Sequence, residues 1–311
     1  MDSDTVDSEI LQRLSTKLTA IICLSVSILF LCVHLIVFLI TEYERTIMGK
    51  NFAMLCLTML LGYLSYIGNI VLQNSIQSCI ITVIACHFLS ISQSAWLLST
   101  SIETWKSIKT TKTQQDYELK NSWRFSYYSL YSWIMPAIIT AGTMYLEFGD
   151  SNWSNELKPK FSDKSCGFGQ ANAFFLLHIL PVNVNLAINF SFIAATIIKL
   201  QKMKTETLYY HQDMIKEFKY YLRLNGLIGI TWLAGLISEY TRSEAITVIY
   251  VLLNAIQGSY IFLIMTFHDK ISTFIYYVDT EYDMKMLNEN ESDDDLSQSE
   301  RLTGMSDSTR I

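Results

Sequence analysis

Charged side chains are scarce in this sequence. Asp, Glu, Lys and Arg make up 17% of its 311 residues, while hydrophobic residues make up 50%. Soluble globular domains carry about 25% charged residues. The shortage falls in long apolar runs, which excludes an ordinary soluble fold and predicts a membrane protein with several spans. The acidic residues are concentrated in the terminal segments MDSDTVDSE and NENESDDDLSQSE, and neither end has the basic character of a nucleic-acid surface.

Groups of residues that could catalyse a reaction or bind a metal are also missing. No glycine-rich phosphate loop follows a strand, and acidic pairs occur only in loops and tails. The histidines occur singly, without the spacing of metal ligands: His34, His87, His178, His211 and His268. We therefore expect no enzyme, no cofactor and no metal.

Few ionisable residues lie within the apolar runs. They are His34, His87, His178 and Glu103, the last of which lies near the inner end of the third run. Such residues inside a membrane often mark an ion path or a proton relay, but none of these four has an obvious partner in the sequence. We therefore interpret them as satisfied packing residues and disfavour a transporter, pump or channel. The seventh run contains no lysine, so a retinal Schiff base is not supported.

Seven runs are each long and apolar enough to cross a bilayer, which takes about 20 residues. Residues 1–17 lack the basic start and cleavage site of a signal peptide, so the first run is expected to serve as an uncleaved signal anchor. These residues are expected to be a short extracellular N-terminus. Residues 268–287 alternate apolar and polar side chains, as an amphipathic helix on the membrane surface does. Residues 288–311 are acidic, serine-rich and free of aromatics, which predicts disorder. The spans are expected within residues 18–267, at about 18–40, 51–72, 79–105, 125–146, 171–200, 221–240 and 246–267.

The loops between these runs predict the orientation of the chain. Most Lys and Arg residues fall on one side if the N-terminus is outside and the C-terminus inside, as the positive-inside rule requires. Asn152 then begins the glycosylation sequon Asn-Trp-Ser in an outer loop. Cys79 and Cys166 also lie near the outer face. A disulfide between them would hold the outer loop over the mouth of the bundle, although their matching depth could be coincidence.

The sixth run, YLRLNGLIGITWLAGLISEY, is unusually rich in small and polar residues for a lipid-facing helix. Such residues indicate close packing inside a bundle. Two interpretations stay open for the polar residues of the last three spans: interhelical hydrogen bonds that only hold the bundle together, or a network with two arrangements. Pro136 and Pro181 lie inside spans four and five and can kink them. The polar set is Asn185, Asn189, Asn225, Trp232, Asn254 and Gln257.

Together these features resemble a G-protein-coupled receptor. The rhodopsin-like class fits poorly, because the sequence lacks an acidic-Arg-Tyr triplet, a Cys-Trp-x-Pro and an Asn-Pro-x-x-Tyr. The segments LNGLIGITWLAGLI and LLNAIQGSYIFLI resemble spans six and seven of the secretin/adhesion class. The segments IMGKNFAMLCLTMLLGYLSYI, QSAWLLSTSIETWKSI and SYYSLYSWIMPAIIT are similar to the insect Methuselah-like receptors within that class.

The resemblance covers residues 18–267 and implies an all-α, seven-transmembrane receptor in the plasma membrane. It implies that Trp232 is a switch in span six, with Gln257 and Gly258 as partners in span seven. A peptide or protein ligand would bind at the outer mouth, and movement of span six would signal to a heterotrimeric G protein. The expected G-protein-facing residues are the basic residues of the inner loops: Lys106, Lys109, Lys216, Lys219 and Arg223.

Other expectations concern regulation and the extracellular part. Ser292, ahead of three aspartates, is an expected phosphorylation site for an arrestin-like partner, although an ordinary solvated tail is an equal alternative. The outer loop reads SCGF, where adhesion receptors place Trp after the Cys. Only seventeen residues precede span one, whereas such receptors carry a large ectodomain. The alternative function is therefore a non-signalling, decoy or channel-like protein, or a receptor fragment without its ligand-binding ectodomain.

Overall fold

Seven helices account for nearly all of the residues that the computed structural model describes. The described residues are 3–40, 47–72, 75–109, 121–149, 157–161, 166–202, 212–241 and 243–263. The helices are α1 (Ser3–Ile40), α2 (Ile47–Val71), α3 (Ile76–Lys109), α4 (Asn121–Phe148), α5 (Ala171–Gln201), α6 (Gln212–Thr241) and α7 (Glu244–Ile261). The prediction of an all-helical chain is confirmed for these residues.

Four of these helices are long and apolar enough to cross a membrane. Their apolar stretches are Leu14–Ile40, Ile47–Val71, Ile76–Ile108 and Ala171–Gln201, and α7 contributes a shorter apolar stretch, Ala245–Ile261. The bounds of α6 extend nine residues before the predicted sixth span, which begins at 221. A helix can continue past the bilayer, so the predicted span boundaries stay predictions.

Polar and apolar side chains are distributed in the opposite sense to a soluble protein. Large apolar side chains face outward, such as Leu29 and Ile138, each 66% exposed. Polar side chains such as Thr58, Thr100 and Asn189 are fully buried between helices and hydrogen-bonded. Water would not favour this arrangement, whereas lipid favours apolar surfaces and buried, hydrogen-bonded polar groups. The chain is therefore built to lie in a membrane.

Helix α3 occupies the centre of the bundle. It contacts α2, α4, α5 and α6, while α1 packs between α2 and α7, and α7 also packs on α6. The middle of α3 consists largely of small residues, including the fully buried Ala95 and Thr100. Small side chains let neighbouring helices approach closely, which explains why this helix has neighbours on most of its sides.

Helix α5 contains a local change of winding. Ala171–Phe174 and Leu180–Gln201 are α-helical, and Phe175–Ile179 between them form a π-helical turn. Pro181 lies two residues after this turn, in the first turn of the second α-helical part. Proline has no N–H to donate to a carbonyl one turn earlier, so one α-helical hydrogen bond is missing where the winding changes. Pro136 lies inside α4, which continues on both sides of it.

Close contact between α1 and α7 depends on Gly258. A Cβ atom at this position would lie 2.9 Å from the backbone oxygen of Ser27 and against its side chain. Backbone atoms cannot rotate away as a side chain can, so a larger residue would force the two helices apart. The structure therefore places Gly258 against α1.

Several predicted features lie outside the described residues. They are the glycosylation site Asn152, the surface helix at 268–287, the tail at 288–311 and its phosphorylation site Ser292. The seven helices belong to one compact unit, Met1–Phe262, and of the second unit, Leu263–Ile311, only Leu263 is described.

Candidate functional site

A folded loop covers one end of the bundle. Cys166 in this loop forms a disulfide with Cys79 near the start of α3, with their Cα atoms 5.5 Å apart. Phe161 is buried against Cys79 and Val83, and it packs edge-on against Phe168. The structure thus joins the two cysteines that the sequence predicted to pair.

The same loop is anchored by Glu147 at the end of α4. The carboxylate accepts hydrogen bonds from the backbone N–H groups of Lys160 (2.8 Å) and Phe161 (3.3 Å). Lys160 has a φ of 50°, in the left-handed region. The N–H of Gly169 donates to the carbonyl of Pro159 at 2.9 Å, which links the two described parts of the loop. The disulfide and Glu147 therefore hold the loop at two separate points.

A cavity of about 590 Å³ lies below this loop, between the helices. Among the described residues that line it, none is Asp, Glu, Lys or Arg. Its lining is aromatic and neutral-polar instead, and pockets of this composition suit small molecules or short apolar segments. The aromatic members of the lining are Tyr63, Tyr66, His87, Phe168, Phe174, His178, Trp232 and Tyr250.

The floor of the cavity is a hydrogen-bonded group that joins three helices. The side-chain amide of Gln257 on α7 donates to the hydroxyl of Thr231 on α6 at 2.7 Å. The Tyr63 hydroxyl on α2 contacts both the side-chain oxygen of Gln257 (3.2 Å) and the carbonyl of Asn254 (3.0 Å). A ligand that reaches this floor would therefore contact α2, α6 and α7 together.

Trp232 lines the same cavity, next to Thr231 in sequence. Its ring centroid lies 6.4 Å from that of His178. The expected relation of Trp232 to Gln257 takes a different form, since the hydrogen bond from Gln257 goes to the neighbouring Thr231. Gly258 packs against α1, and it is not part of the cavity lining.

His87 on α3 and His178 on α5 meet at the cavity wall. Their Nδ1 atoms are 2.9 Å apart, and Nε2 of His87 lies 3.3 Å from the hydroxyl of Thr143 on α4. These histidines are expected from the sequence to be satisfied packing residues with no obvious partner, and the structure shows each as a partner of the other. The two are 91 residues apart, and no sequence period connects them. Only the packing of α3 against α5 brings them together.

Below the cavity, Asn185 joins α5 to two helices. Its amide group donates to the hydroxyl of Ser94 on α3 at 2.9 Å, and its oxygen accepts from the hydroxyl of Tyr131 on α4 at 2.8 Å. Asn185 is buried. Both polar atoms of this side chain therefore have partners.

Asn189, one turn further along α5, bonds to α6 instead. Its amide donates to the side-chain oxygen of Asn225 at 2.7 Å, and Asn225 donates in turn to the carbonyl of Tyr221 at 2.9 Å. The Tyr221 hydroxyl bonds to the carbonyl of Leu97 on α3. Asn189, Asn225 and Tyr221 therefore connect α5, α6 and α3, while Asn185 bonds separately to α3 and α4.

A buried acid lies at the opposite end of α3 from the disulfide. Glu103 is fully buried, and its carboxylate accepts a hydrogen bond from the Tyr128 hydroxyl at 2.8 Å. A guanidinium nitrogen of Arg124 is 3.7 Å away. Glu103 is expected from the sequence to be a satisfied packing residue with no obvious partner, and the structure identifies Tyr128 and Arg124 as its partners. A glutamate 25 residues before a tyrosine gives no sequence signal, because the contact depends on how α4 packs on α3.

The basic residues expected to face a G protein are only partly described. Lys106 donates to the Tyr128 hydroxyl at 3.1 Å, so this lysine also belongs to the Glu103 group. Lys219 and Arg223 on α6 are exposed, and the side chains of Lys109 and Lys216 are outside what the structure describes.

Within the described part of the chain, no three or more His, Cys, Asp or Glu side chains are grouped to hold a metal ion. The polar groups of the cavity bond to one another across helix boundaries. This arrangement can bind a neutral ligand and couple helix positions.

Comparisons with known proteins give a consistent result. A family model described as 7 transmembrane receptor (Secretin family) matches residues 13–261. The chain is 28% identical over 269 residues to the G-protein coupled receptor Mth2 of Drosophila simulans, and the match covers 80% of this chain and 49% of that protein. It is 26% identical over 276 residues to the probable G-protein coupled receptor Mth-like 10 of Drosophila melanogaster, covering 80% and 47%. The chain thus spans about half the length of these curated relatives.

A third relative is similar in length to this chain. The latrophilin receptor-like protein A of Dictyostelium discoideum is 25% identical over 311 residues, which cover 97% of this chain and 94% of that protein.

Proposed function

Because the chain belongs to the secretin family of seven-transmembrane receptors, we propose that it transmits an extracellular signal to a heterotrimeric G protein through α6. The resemblance to Methuselah-like receptors that the sequence motifs indicated is confirmed by the Mth2 and Mth-like 10 relatives. In this proposal all seven helices cross the plasma membrane, with the N-terminus outside and the C-terminus inside. The Cys79–Cys166 loop then faces the oxidising side, where disulfides persist.

One observation carries the proposal: α6 contributes to both the cavity and the network below it. Thr231 and Trp232 border the cavity, while Asn225 and Tyr221 bond to α5 and α3. Eleven residues of α-helix separate Trp232 from Tyr221, which corresponds to about 16 Å along the helix axis. A single rigid element therefore connects the place where a ligand would bind to the place where helices are held together.

The ligand would act by favouring one of two positions of α6. It would alter the Gln257–Thr231 contact at the cavity floor, and the Asn189–Asn225 bond would break as the inner part of α6 moves outward. A ligand shifts such an equilibrium only by binding one position more tightly than the other. The neutral cavity lining favours an uncharged part of a peptide or protein ligand.

The inner face would receive the G protein. Outward movement of α6 would open a space beside Arg223 and Lys219, both exposed in the structure. Lys106 and Lys109 at the end of α3 and Lys216 near the start of α6 would border it. Phosphorylation of Ser292 would add charge for an arrestin-like partner. Membrane lipid would surround the outward-facing apolar side chains of the helices.

A paired substitution on α6 tests this function. Trp232→Ala removes a ring from the cavity wall, whereas Leu233→Ala changes the next residue, which is 61% exposed on the lipid-facing side. Both variants are expressed in cells at matched surface levels, and basal nucleotide exchange is measured on a panel of Gα subunits. We expect Trp232→Ala to change the exchange rate and Leu233→Ala to leave it unchanged.

Equal effects of the two substitutions on nucleotide exchange would show that Trp232 does not act as the switch residue. Absence of exchange on every Gα subunit, together with ionic currents from purified protein in bilayers, would instead support the channel-like alternative.

A further inference from the structure

Three basic side chains, each from a different helix, lie around the first turns of α4. Arg124 belongs to α4 itself, whereas Lys50 of α2 and Lys106 of α3 lie over aromatic rings of α4. They are at the end of the bundle opposite the disulfide, which is the cytoplasmic end in the proposed orientation. We propose that these three side chains bind the phosphorylated headgroup of an anionic membrane lipid. The inference goes beyond the signalling function, because lipid binding needs no G protein.

Two rings of α4 position the lysines. The ammonium nitrogen of Lys50 is 5.9 Å from the centroid of the Phe125 ring, and that of Lys106 is 5.3 Å from the centroid of the Tyr128 ring. Nζ of Lys106 also donates to the Tyr128 hydroxyl at 3.1 Å. Phe125 and Tyr128 are three residues apart, so their side chains are neighbours on the surface of α4. The two ammonium groups are therefore placed at neighbouring positions of one helix before any ligand binds.

Arg124 adds a third cation beside Phe125 in the sequence. A guanidinium nitrogen is 3.7 Å from the carboxylate of Glu103, and the Arg124 side chain is 30% exposed while that of Glu103 is fully buried. A guanidinium has five N–H donors in a planar fork that matches two phosphate oxygens. The contact with Glu103 orients the arginine from the buried side, and its exposed part is accessible to a ligand.

The formal charges of this group do not balance. Lys50, Lys106 and Arg124 carry three positive charges against the one negative charge of Glu103, which leaves an excess of two. Tyr128 connects Lys106 to the acid, since its hydroxyl donates to Glu103 at 2.8 Å. Basic pockets between helices on the cytoplasmic side bind phosphorylated headgroups. The excess charge favours a headgroup with several negative charges, such as a phosphorylated inositol, over the singly charged phosphatidylserine.

Exposed aromatic side chains on the same helix indicate the depth of this group in the membrane. Trp123 and Tyr127 are 74% and 68% exposed, and they share one face of α4 because they are four residues apart. Trp and Tyr are enriched where the hydrocarbon meets the headgroups. The exposed surface continues along α4 with the apolar Leu130 and Ile134. The three cations therefore lie at the depth of lipid headgroups, which favours a lipid over a soluble phosphate compound.

The first test compares lipids on the purified full chain without a G protein. The protein in detergent is mixed with increasing amounts of phosphatidylinositol bisphosphate, phosphatidylserine or phosphatidylcholine, and native mass spectrometry measures the fraction of chains that retain a lipid. We expect the inositol lipid to be retained at the lowest concentration. Equal retention of the inositol lipid and phosphatidylserine would overturn the proposal, and this comparison requires no variant to fold. Because no nucleotide exchange is measured, failure of the lipid site is distinguishable from failure of the signalling proposal.

A pair of charge-removing variants tests the location of the site. Lys50→Gln should lower the apparent affinity for the inositol lipid about fivefold, which is the contribution expected of one basic residue near a membrane surface. Lys199→Gln removes the same charge from an exposed lysine in the last turn of α5 and should leave the affinity unchanged. Lys50 suits this test because, unlike Lys106, it is not among the residues expected to face the G protein. Equal losses in the two variants would show general attraction to basic residues and overturn the site.

Two further measurements concern the headgroup itself. Arg124→Lys keeps the charge but removes the planar fork, so it should weaken retention of the inositol lipid and leave that of phosphatidylserine unchanged. An unchanged affinity for the inositol lipid would contradict the role assigned to Arg124. Inositol trisphosphate, a soluble headgroup without acyl chains, should not displace the lipid at an equal concentration. Displacement would show that the site takes a soluble phosphate compound, which would overturn its assignment to a lipid.

Discussion

The cavity half of the bundle and the half directly below it use polar residues differently. Around the cavity, Gln257, Thr231 and Tyr63 bond to one another beside about 590 Å³ of open space. Below it, Asn189 and Asn225 bond across a tightly packed contact in which both side chains are almost completely buried. Polar groups beside open space can exchange partners with a ligand or water, whereas those below cannot separate without losing their bonds. The polar groups around the cavity can therefore respond to a ligand, whereas the Asn189–Asn225 contact below holds the helices in their resting positions.

The largest expected effect comes from removing the covalent constraint on the cavity half. The double variant Cys79→Ser/Cys166→Ser removes the disulfide that holds the loop over the cavity and joins residues 87 apart in the sequence. Disulfides typically contribute about 2–4 kcal/mol, so we expect a clear drop in the melting temperature of the purified protein in detergent. Cys23→Ser/Cys32→Ser removes two free cysteines of α1 and should melt near the parent temperature. Equal melting of the two double variants would show that the disulfide does not stabilise this half.

An intermediate effect is expected from breaking the network below the cavity. Asn225→Leu leaves the buried amide of Asn189 without its partner, and an unsatisfied buried polar group costs about 1–3 kcal/mol. Gln257→Leu removes a comparable amide at the cavity floor. Water in the cavity can replace that bond to Thr231, and such a water bond is nearly as favourable as the direct one. We therefore expect Asn225→Leu to lower the melting temperature more than Gln257→Leu. The reverse order would contradict the distinction between the two halves.

The smallest effect is expected at Tyr131, which lies at the edge of the lower network. Tyr131→Phe removes one hydrogen bond to Asn185, but Asn185 keeps its bond to Ser94. Interhelical hydrogen bonds in membranes contribute about 0.6 kcal/mol on average. We expect a small decrease in melting temperature, with Tyr127→Phe, at the exposed Tyr127 on the same helix, as the control. If Tyr131→Phe lowered the melting temperature as much as Asn225→Leu, the bond from α4 to Asn185 would matter as much as the bond between Asn189 and α6.

The sequence predicts much of this fold, because lipid imposes strong patterns on it. Apolar runs indicate the helices, and span-six and span-seven motifs indicate the family. The spacing of Asn185 and Asn189 places them on one face of α5, although the structure shows that they bond to different helices. Spacing along one helix says which residues share a face, and it does not say which neighbour that face meets.

The contacts that could not be predicted from the sequence are side-chain contacts between different helices. His87 with His178, Glu103 with Tyr128, and Gln257 with Tyr63 each join residues whose separation follows no period. Gly258 illustrates the same limit. Its place in a family motif suggested a partner for Trp232, but the absence of a side chain serves the close approach of α1. Such contacts depend on helix rotation and tilt, which hydrophobic patterning leaves undetermined.

The π-helical turn at Phe175–Ile179 affects which residues of α5 face the neighbouring helices. A π-helical turn accommodates one extra residue, and one residue corresponds to about 100° of rotation in a regular α-helix. Residues on opposite sides of the turn are therefore offset by about that angle relative to an uninterrupted helix. Deleting one residue within the turn would let the helix wind regularly and rotate the Ala171–Phe174 end relative to Asn185 and Asn189. The π-helical turn thus lets the rotation of the Ala171–Phe174 end differ from that of the part with Asn185 and Asn189, so the residues facing the cavity can change while the register of the polar network stays the same.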